Sequence, residues 1–436
     1  MPHPEQNAAS NAVAIIGAGP AGLAATRELA AAGMAIEIFD EQPRAGGNVG
    51  RVATGAPPTE LERMATAQPG VTLHSSHRVT AIGRYHTVES AGPDGYEIRR
   101  FAAILLCCGA YDLALPLPGV PGPGISSAGA LQALLKGQGV VPRGRVVIAG
   151  SGPFLYVAAD GLARAGVPVT AVVDRLSATD YARLALPGLA VPGNGLEFML
   201  RLWSLRRHGV RILQGRRPTS AAGGRLQVDS GEELPFDRLG LSDLFVPQSQ
   251  LARTAGCRQR YSGDGGYFVT ETDQDGRTSV DSIYVCGEGQ GVRGWRHALL
   301  SGRLAALAAL NDLGRTPARA PTLTLIRHRR RLLNAFGARL ERIMRERETP
   351  ANGGDSVVCA CEGTRLDAVR EAVDLGLRDL SSIKVVTRCG MGPCQGRYCE
   401  PVVSRLIESG GNVPTDPLNQ RALTRPVPAG EFVDGV

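Results

Sequence analysis

Five of the nine cysteines in this 436-residue chain fall within 41 residues: Cys359, Cys361, Cys389, Cys394 and Cys399. Four of them make a Cys-x-Cys pair and a Cys-x4-Cys pair separated by 32 residues. Cys359, Cys361, Cys394 and Cys399 are therefore the candidate metal ligands. Four thiolates on two loops suit a [2Fe–2S] cluster, and they also satisfy zinc tetrahedrally. Residues 389–399 read Cys-Gly-Met-Gly-Pro-Cys-Gln-Gly-Arg-Tyr-Cys, which favours the cluster. The glycines expose backbone N–H groups to cluster sulfurs, and Lys384, Arg388 and Arg397 offset thiolate charge. Cys389 is read as a bystander.

A second set of chemistry-bearing residues stands near the N-terminus. Gly17-Ala18-Gly19-Pro20-Ala21-Gly22 follows an apolar strand at 12–16, and an Ala-rich helix and a second strand ending in Asp40 come next. Gly17 permits the tight turn, Gly19 lets backbone approach a pyrophosphate, and Gly22 lets the helix pack on the strand. The pyrophosphate would rest on the helix N-terminus, and Asp40 is placed to take ribose hydroxyls. A similar opening recurs at Gly150-Ser151-Gly152-Pro153-Phe154-Leu155, with a strand ending in Asp174. The chain thus contains an internal duplication. Leu155 replaces the third glycine, so the second site is expected to be degenerate.

The elements around these motifs are α/β throughout. Residues 71–108 alternate as short strands, ending in the buried run 103–108 and Gly109. Residues 231–315 return to that style, with a strand running into Gly287 and Glu288. Residues 323–347 form a basic, helical connector, and the residues 351–354 (Ala-Asn-Gly-Gly) mark a domain boundary. Composition is that of an ordinary globular protein, 43% hydrophobic and 20% charged. No apolar run is long enough for a membrane helix, and the first residues lack a secretory pattern, so a cytoplasmic address is expected. The formal charge of +7 comes almost wholly from arginine. The densest basic run, 327–331, precedes Glu341, Glu346 and Glu348 at helical spacing, which reads as a self-paired helix face. Without interleaved aromatics it is not a nucleic-acid surface. The seven histidines are scattered, and no motif nominates one as a base.

Residues 12–315 resemble the two-dinucleotide-domain flavoproteins, with a Rossmann-like FAD domain and an inserted NAD(P)-like domain. The Gly46-Gly47 pair matches that family. The resemblance implies FAD contacts at Gly17, Gly19, Pro20, Ala21, Gly22, Asp40, Glu41, Gly46, Gly47, Gly109, Gly287 and Glu288, although the family usually has Asp at the position of Glu288. The implied domains are 1–125 with 231–315 for FAD, 126–230 NAD(P)-like, 316–354 connector, and 355–436 a small α-rich [2Fe–2S] domain and tail. The tail segment resembles bacterioferritin-associated-ferredoxin-like [2Fe–2S] domains. Together with the degenerate second site it resembles the α subunit of heteromeric amine, imino-acid and opine dehydrogenases. That family includes octopine and nopaline oxidases, D-hydroxyproline dehydrogenase, dye-linked L-proline dehydrogenase and the middle subunit of hydrogen cyanide synthase. The resemblance implies a relay role: substrate is oxidised in an FAD-containing β subunit of the D-amino-acid-oxidase type. An interfacial FMN and a small third subunit belong to the same picture. Two other readings stay open, a self-sufficient NAD(P)H:acceptor oxidoreductase and a nucleotide-binding assembly subunit without flavin.

Overall fold

The computed structural model describes residues 11–52, 57, 59–184, 188, 192–317, 323–348, 355–428 and 430–433. Two five-stranded parallel sheets carry its architecture. The first has the order Ile283–Val285, Ala103–Leu106, Val13–Ile16, Ile36–Asp40, Val71–Ser75. Val13–Ile16 is buried along its whole length, which is why it reads as an unbroken apolar run: both faces of a parallel sheet are covered. Val13 and Ile15 pack toward helices Pro20–Ala31 and Trp295–Asp312. Ala14 and Ile16 pack toward the antiparallel strands Arg78–Gly83, Thr87–Gly92 and Gly95–Arg100. The two helices press so closely that a Cβ on Gly302 would lie 2.0 Å from the Ala21 carbonyl oxygen.

The chain leaves this unit along Ala110–Leu113 and returns along Leu244–Pro247, and these two strands pair antiparallel. Between them lies the second sheet, in the order Arg211–Gln214, Val169–Asp174, Val146–Gly150, Arg238–Ser242, Ile125–Ser127. The return therefore comes later than the expected boundary at 231. Arg238–Ser242 pairs in parallel register with Val146–Gly150 and belongs to the inserted unit. A short buried strand reads alike in either sheet, and only the hydrogen-bond register assigns it.

The connector is a 24-residue helix, Leu323–Glu346. Its own Ile326, Leu333, Gly337 and Ile343 are buried. Its charges are not mainly self-paired, as the spacing suggested. Arg327 binds Asp275, Glu341 binds Arg293, Glu346 binds Arg183, and Arg345 binds Glu348 and Glu408. Four of these five partners lie outside the connector, so the charged side clamps the helix across both nucleotide-type units and the C-terminal domain. The expected break at residues 351–354 lies outside the described residues. Among the described residues, no helix is long and apolar enough to cross a membrane.

The C-terminal domain has a strand, Val357–Cys359, and helices Leu366–Asp374, Leu380–Thr387 and Glu400–Ser409. It shares one core with the rest of the chain. Val358, Leu366, Val369, Val403 and Ile407 cluster with Leu113, Leu244, Val246 and Phe268. Across this seam Arg253 donates to both carboxylate oxygens of Glu400, at 2.6 and 2.8 Å, with both side chains under a tenth exposed. Removing one member leaves a buried charge alone, at about 3–5 kcal/mol. R253A is expected to lower thermal stability by that amount and to speed proteolysis at the seam. Unchanged melting and cleavage would show that the pair does not hold the domains together.

Candidate functional site

The first glycine turn is shaped by sterics. Gly17 has φ +105°, and a Cβ there would lie 2.5 Å from the Cys107 carbonyl oxygen. A Cβ on Gly22 would lie 2.0 Å from the carbonyl oxygen of Gly17. Pro20 occupies the first helical turn, where no N–H is needed. Gly47 packs against the turn, since its Cβ would come within 2.9 Å of Gly19 Cα. Asp40 is oriented by two backbone donors, Ala18 N–H at 2.6 Å and Gln42 N–H at 2.7 Å. Burial raises its carboxyl pKa, against the pull of those donors and of Arg51 and Arg425.

Ten of the twelve residues expected at this site line one cleft. Gly22 and Gly46 stand behind it, where they shape the turn and its neighbouring loop. Glu288 lines the cleft, and burial pushes its carboxyl up to about 7. His297, two residues beyond the cleft-lining Trp295, is buried, and that burial pushes its pKa down to about 3 and holds the imidazole neutral.

The cations of the cleft carry little signal in the sequence. Arg51, Arg397 and Arg425 all line it. Arg425 arrives from the C-terminal tail, pairs with Glu41 and donates to Gln248. Arg397 hangs from the loop between Cys394 and Cys399. Tyr111 holds that loop by donating to the Arg397 carbonyl, and its ring meets Tyr398 edge-on at 5.3 Å. Arg51 and Arg397 each keep a buried Nε without a partner among the described residues. A dinucleotide fits such a cleft: free guanidinium donors suit phosphate oxygens, and the helix N-terminus behind Gly19 adds backbone N–H groups.

The cysteines converge beside it. The sulfurs of Cys359, Cys389 and Cys399 lie within 4.8 Å of one another, all buried. Thiol hydrogen bonds from Cys389 and Cys399 push Cys359 down to about 2. Cys361, which is exposed, has the Cys394 thiol as its neighbour. Gly392 leaves room for Cys361, because a Cβ there would come within 2.2 Å of its Cβ. Of the four expected ligands, Cys359 and Cys399 meet in this buried group together with Cys389, a bystander by spacing alone, while Cys361 and Cys394 stand outside it as a neighbouring pair. Soft, close-set thiolates fit an iron–sulfur group.

The second glycine turn is occupied by the chain itself. Met344 of the connector helix covers Gly152, whose Cβ would lie 3.0 Å from its sulfur. Asp174 is saturated: Tyr156 and Tyr181 donate to one oxygen, and the Gly152 and Leu176 N–H groups donate to the other. Leu155 is wholly buried in that unit's core. A further pair is invisible in the sequence. Parallel pairing of Ile283–Val285 with Ala103–Leu106 brings the Cys107 and Cys286 sulfurs to 3.0 Å, whereas Cys107 and its neighbour Cys108 make no such pair.

Residues 11–302 match the family model of pyridine nucleotide-disulphide oxidoreductases, and residues 357–409 match that of BFD-like [2Fe–2S] binding domains. The chain is 32% identical to the opine oxidase A-type subunit of Agrobacterium tumefaciens over 90% of its length and 84% of the relative's. It is 30% identical to hydrogen cyanide synthase subunit HcnB of Pseudomonas aeruginosa, over 96% and 97%. Its fold resembles the crystal structure of L-proline dehydrogenase from P. horikoshii, with TM-score 0.70, 19% identity, and coverage of 96% of this chain and 78% of that one.

The glycine turn and the buried acid each lead to a measurable outcome. G22A, which drives a methyl into the Gly17 carbonyl, is expected to yield chain without bound nucleotide, measured by extraction and absorption; full nucleotide content would refute the turn's role. Burial raises Asp174 to about 6, so between pH about 4 and about 6 the native state holds a proton that the unfolded chain has released. The stability from that proton is complete below pH about 4 and is lost as pH rises through about 6, amounting to about 3 kcal/mol. Melting of D174N between pH 4 and 7 is expected to lack that slope.

Proposed function

The chain belongs to the pyridine nucleotide-disulphide oxidoreductase family, alongside the opine oxidase A-type subunit and hydrogen cyanide synthase subunit HcnB, and from that membership we propose that it is the electron-relay subunit of a heteromeric dehydrogenase. The reaction proposed for the complex is oxidation of a CH–NH bond in an amino acid, imino acid or opine. Substrate is oxidised on a partner subunit carrying its own FAD, of the D-amino-acid-oxidase type, and a small third subunit belongs to the same assembly. An FMN at the subunit interface is part of this reading, with no residue of this chain assigned to it.

One observation carries the proposal. Arg397, between two of the clustered cysteines, lines the first nucleotide cleft, so cleft and cysteine locus share a wall. A flavin in the cleft would supply two-electron acceptance with one-electron release, and a thiolate-held [2Fe–2S] centre single-electron carriage. The protein's part is placement. Asp40, Gly17 and Gly19 orient the nucleotide, Arg51 and Arg397 meet its phosphates, and the Tyr111 contact keeps the cysteine loop against the cleft.

The NAD(P)H-oxidoreductase alternative needs an open second site, and Met344 stands over its glycine turn. A different second reading has support. Four guanidinium groups in one cleft, those of Arg51, Arg78, Arg397 and Arg425, favour a polyanionic adenine nucleotide, which makes this an assembly subunit without flavin on this chain.

The test uses the anaerobically purified complex and the lone chain. With partner and substrate present, the cluster signal is expected to appear in electron paramagnetic resonance. NADH alone is expected to leave the lone chain unreduced. Amine turnover by the lone chain, or bleaching by NADH, would overturn the relay. A colourless nucleotide extracted from this chain would select the second reading.

A further inference from the structure

We propose that Cys389 is a reserve ligand: a fifth thiol able to take the place of Cys399 in holding the cluster. This rests on reading the cysteine locus as a [2Fe–2S] site. Such a cluster takes four thiolates, two on each iron, and five are present. Geometry sorts them into two groups. Cys361 and Cys394 lie together on the open side, one exposed and one half-buried. Cys359, Cys389 and Cys399 form the buried side, at 2%, 3% and 1% exposure, with every pair of their sulfurs within 4.8 Å. Three thiols are therefore available for the two buried positions.

Cys359 ends the strand Val357–Cys359, and its partner is chosen between the other two. Cys389 and Cys399 are anchored alike, from opposite ends of one loop. Cys389 follows the helix Leu380–Thr387 after a left-handed residue, Arg388, at φ +61°. Cys399 immediately precedes the helix Glu400–Ser409. The loop closes on itself between them: a Cβ on Gly390 would lie 3.6 Å from Gly396 Cα and 3.8 Å from the Cys399 sulfur. Either thiol therefore presents its sulfur from a backbone already fixed by a helix end. Exchanging one for the other needs side-chain rotation and no unfolding of strand or helix.

The experiment compares full-length wild type, C389A, C399A and C389A/C399A, purified anaerobically. Iron and acid-labile sulfide are counted, the reduced cluster is recorded by electron paramagnetic resonance, and nucleotide content confirms an intact first domain. C399A is expected to retain most of its iron, with altered g-values that report a changed ligand. C389A is expected to keep its iron, and the double variant to lose it. If C399A is as empty as the double variant while wild type is loaded, Cys389 is not competent and the proposal fails. If C389A alone is empty, Cys389 is an obligatory ligand and the proposal fails in the other direction. A wild-type chain without iron and sulfide overturns the cluster reading itself.

Discussion

Glu400 is bound on both carboxylate oxygens by Arg253 and also accepts the N–H of Leu418. The charge is buried at the joint of three pieces of chain, where an unpaired ion is costly. Glu400 directly follows Cys399, Arg253 belongs to the nucleotide unit, and Leu418 begins the tail that delivers Arg425. The rest of the functional geometry hangs from this contact. It sets the cysteine loop against the first domain, brings Arg397 to the cleft, and starts the tail on its path to Glu41. Apolar burial supplies the bulk of the seam's stability, but Val, Leu and Ile side chains alone would allow sliding. The bidentate fork gives the seam its register.

Much of this is legible in the residues, because the steric demands of the first turn leave few choices. Gly17, Gly22 and Gly47 face backbone or Cα atoms at distances that exclude a Cβ, and buried parallel strands must be continuously apolar. The spacing of the cysteines likewise places Cys359 and Cys399 together. Less legible is whatever depends on contacts remote in sequence. Cys107 and Cys286 meet only through strand register. Arg425 stands at the end of a tail with no periodic pattern. Cys389 looks dispensable because four ligands suffice, and spacing cannot say which sulfurs a folded loop turns inward. The strand Arg238–Ser242 reads as part of the wrong sheet for the same reason.

The second unit keeps the strand–turn–acid layout of the first while its glycine turn is packed by the chain's own residues. Its sheet, its turn and its acid at Asp174 persist. What differs is the occupant. Leu155 fills the place of a close-packing glycine, two tyrosines saturate the acid, and Met344 lies on the turn, with Ile343, Leu184 and Leu176 forming a small core under it. The connector helix is thereby fastened to the unit, and Arg347 on Asp180 secures its end.

Arg397 belongs to two structures at once, as wall of the cleft and as member of the cysteine loop. Any coupling between a group held by that loop and one held by the cleft must run in both directions. Whatever factor an ordered loop adds to nucleotide affinity, a filled cleft returns to the affinity for metal. If the ordered loop favours nucleotide binding, a shortage of either component would weaken retention of its counterpart.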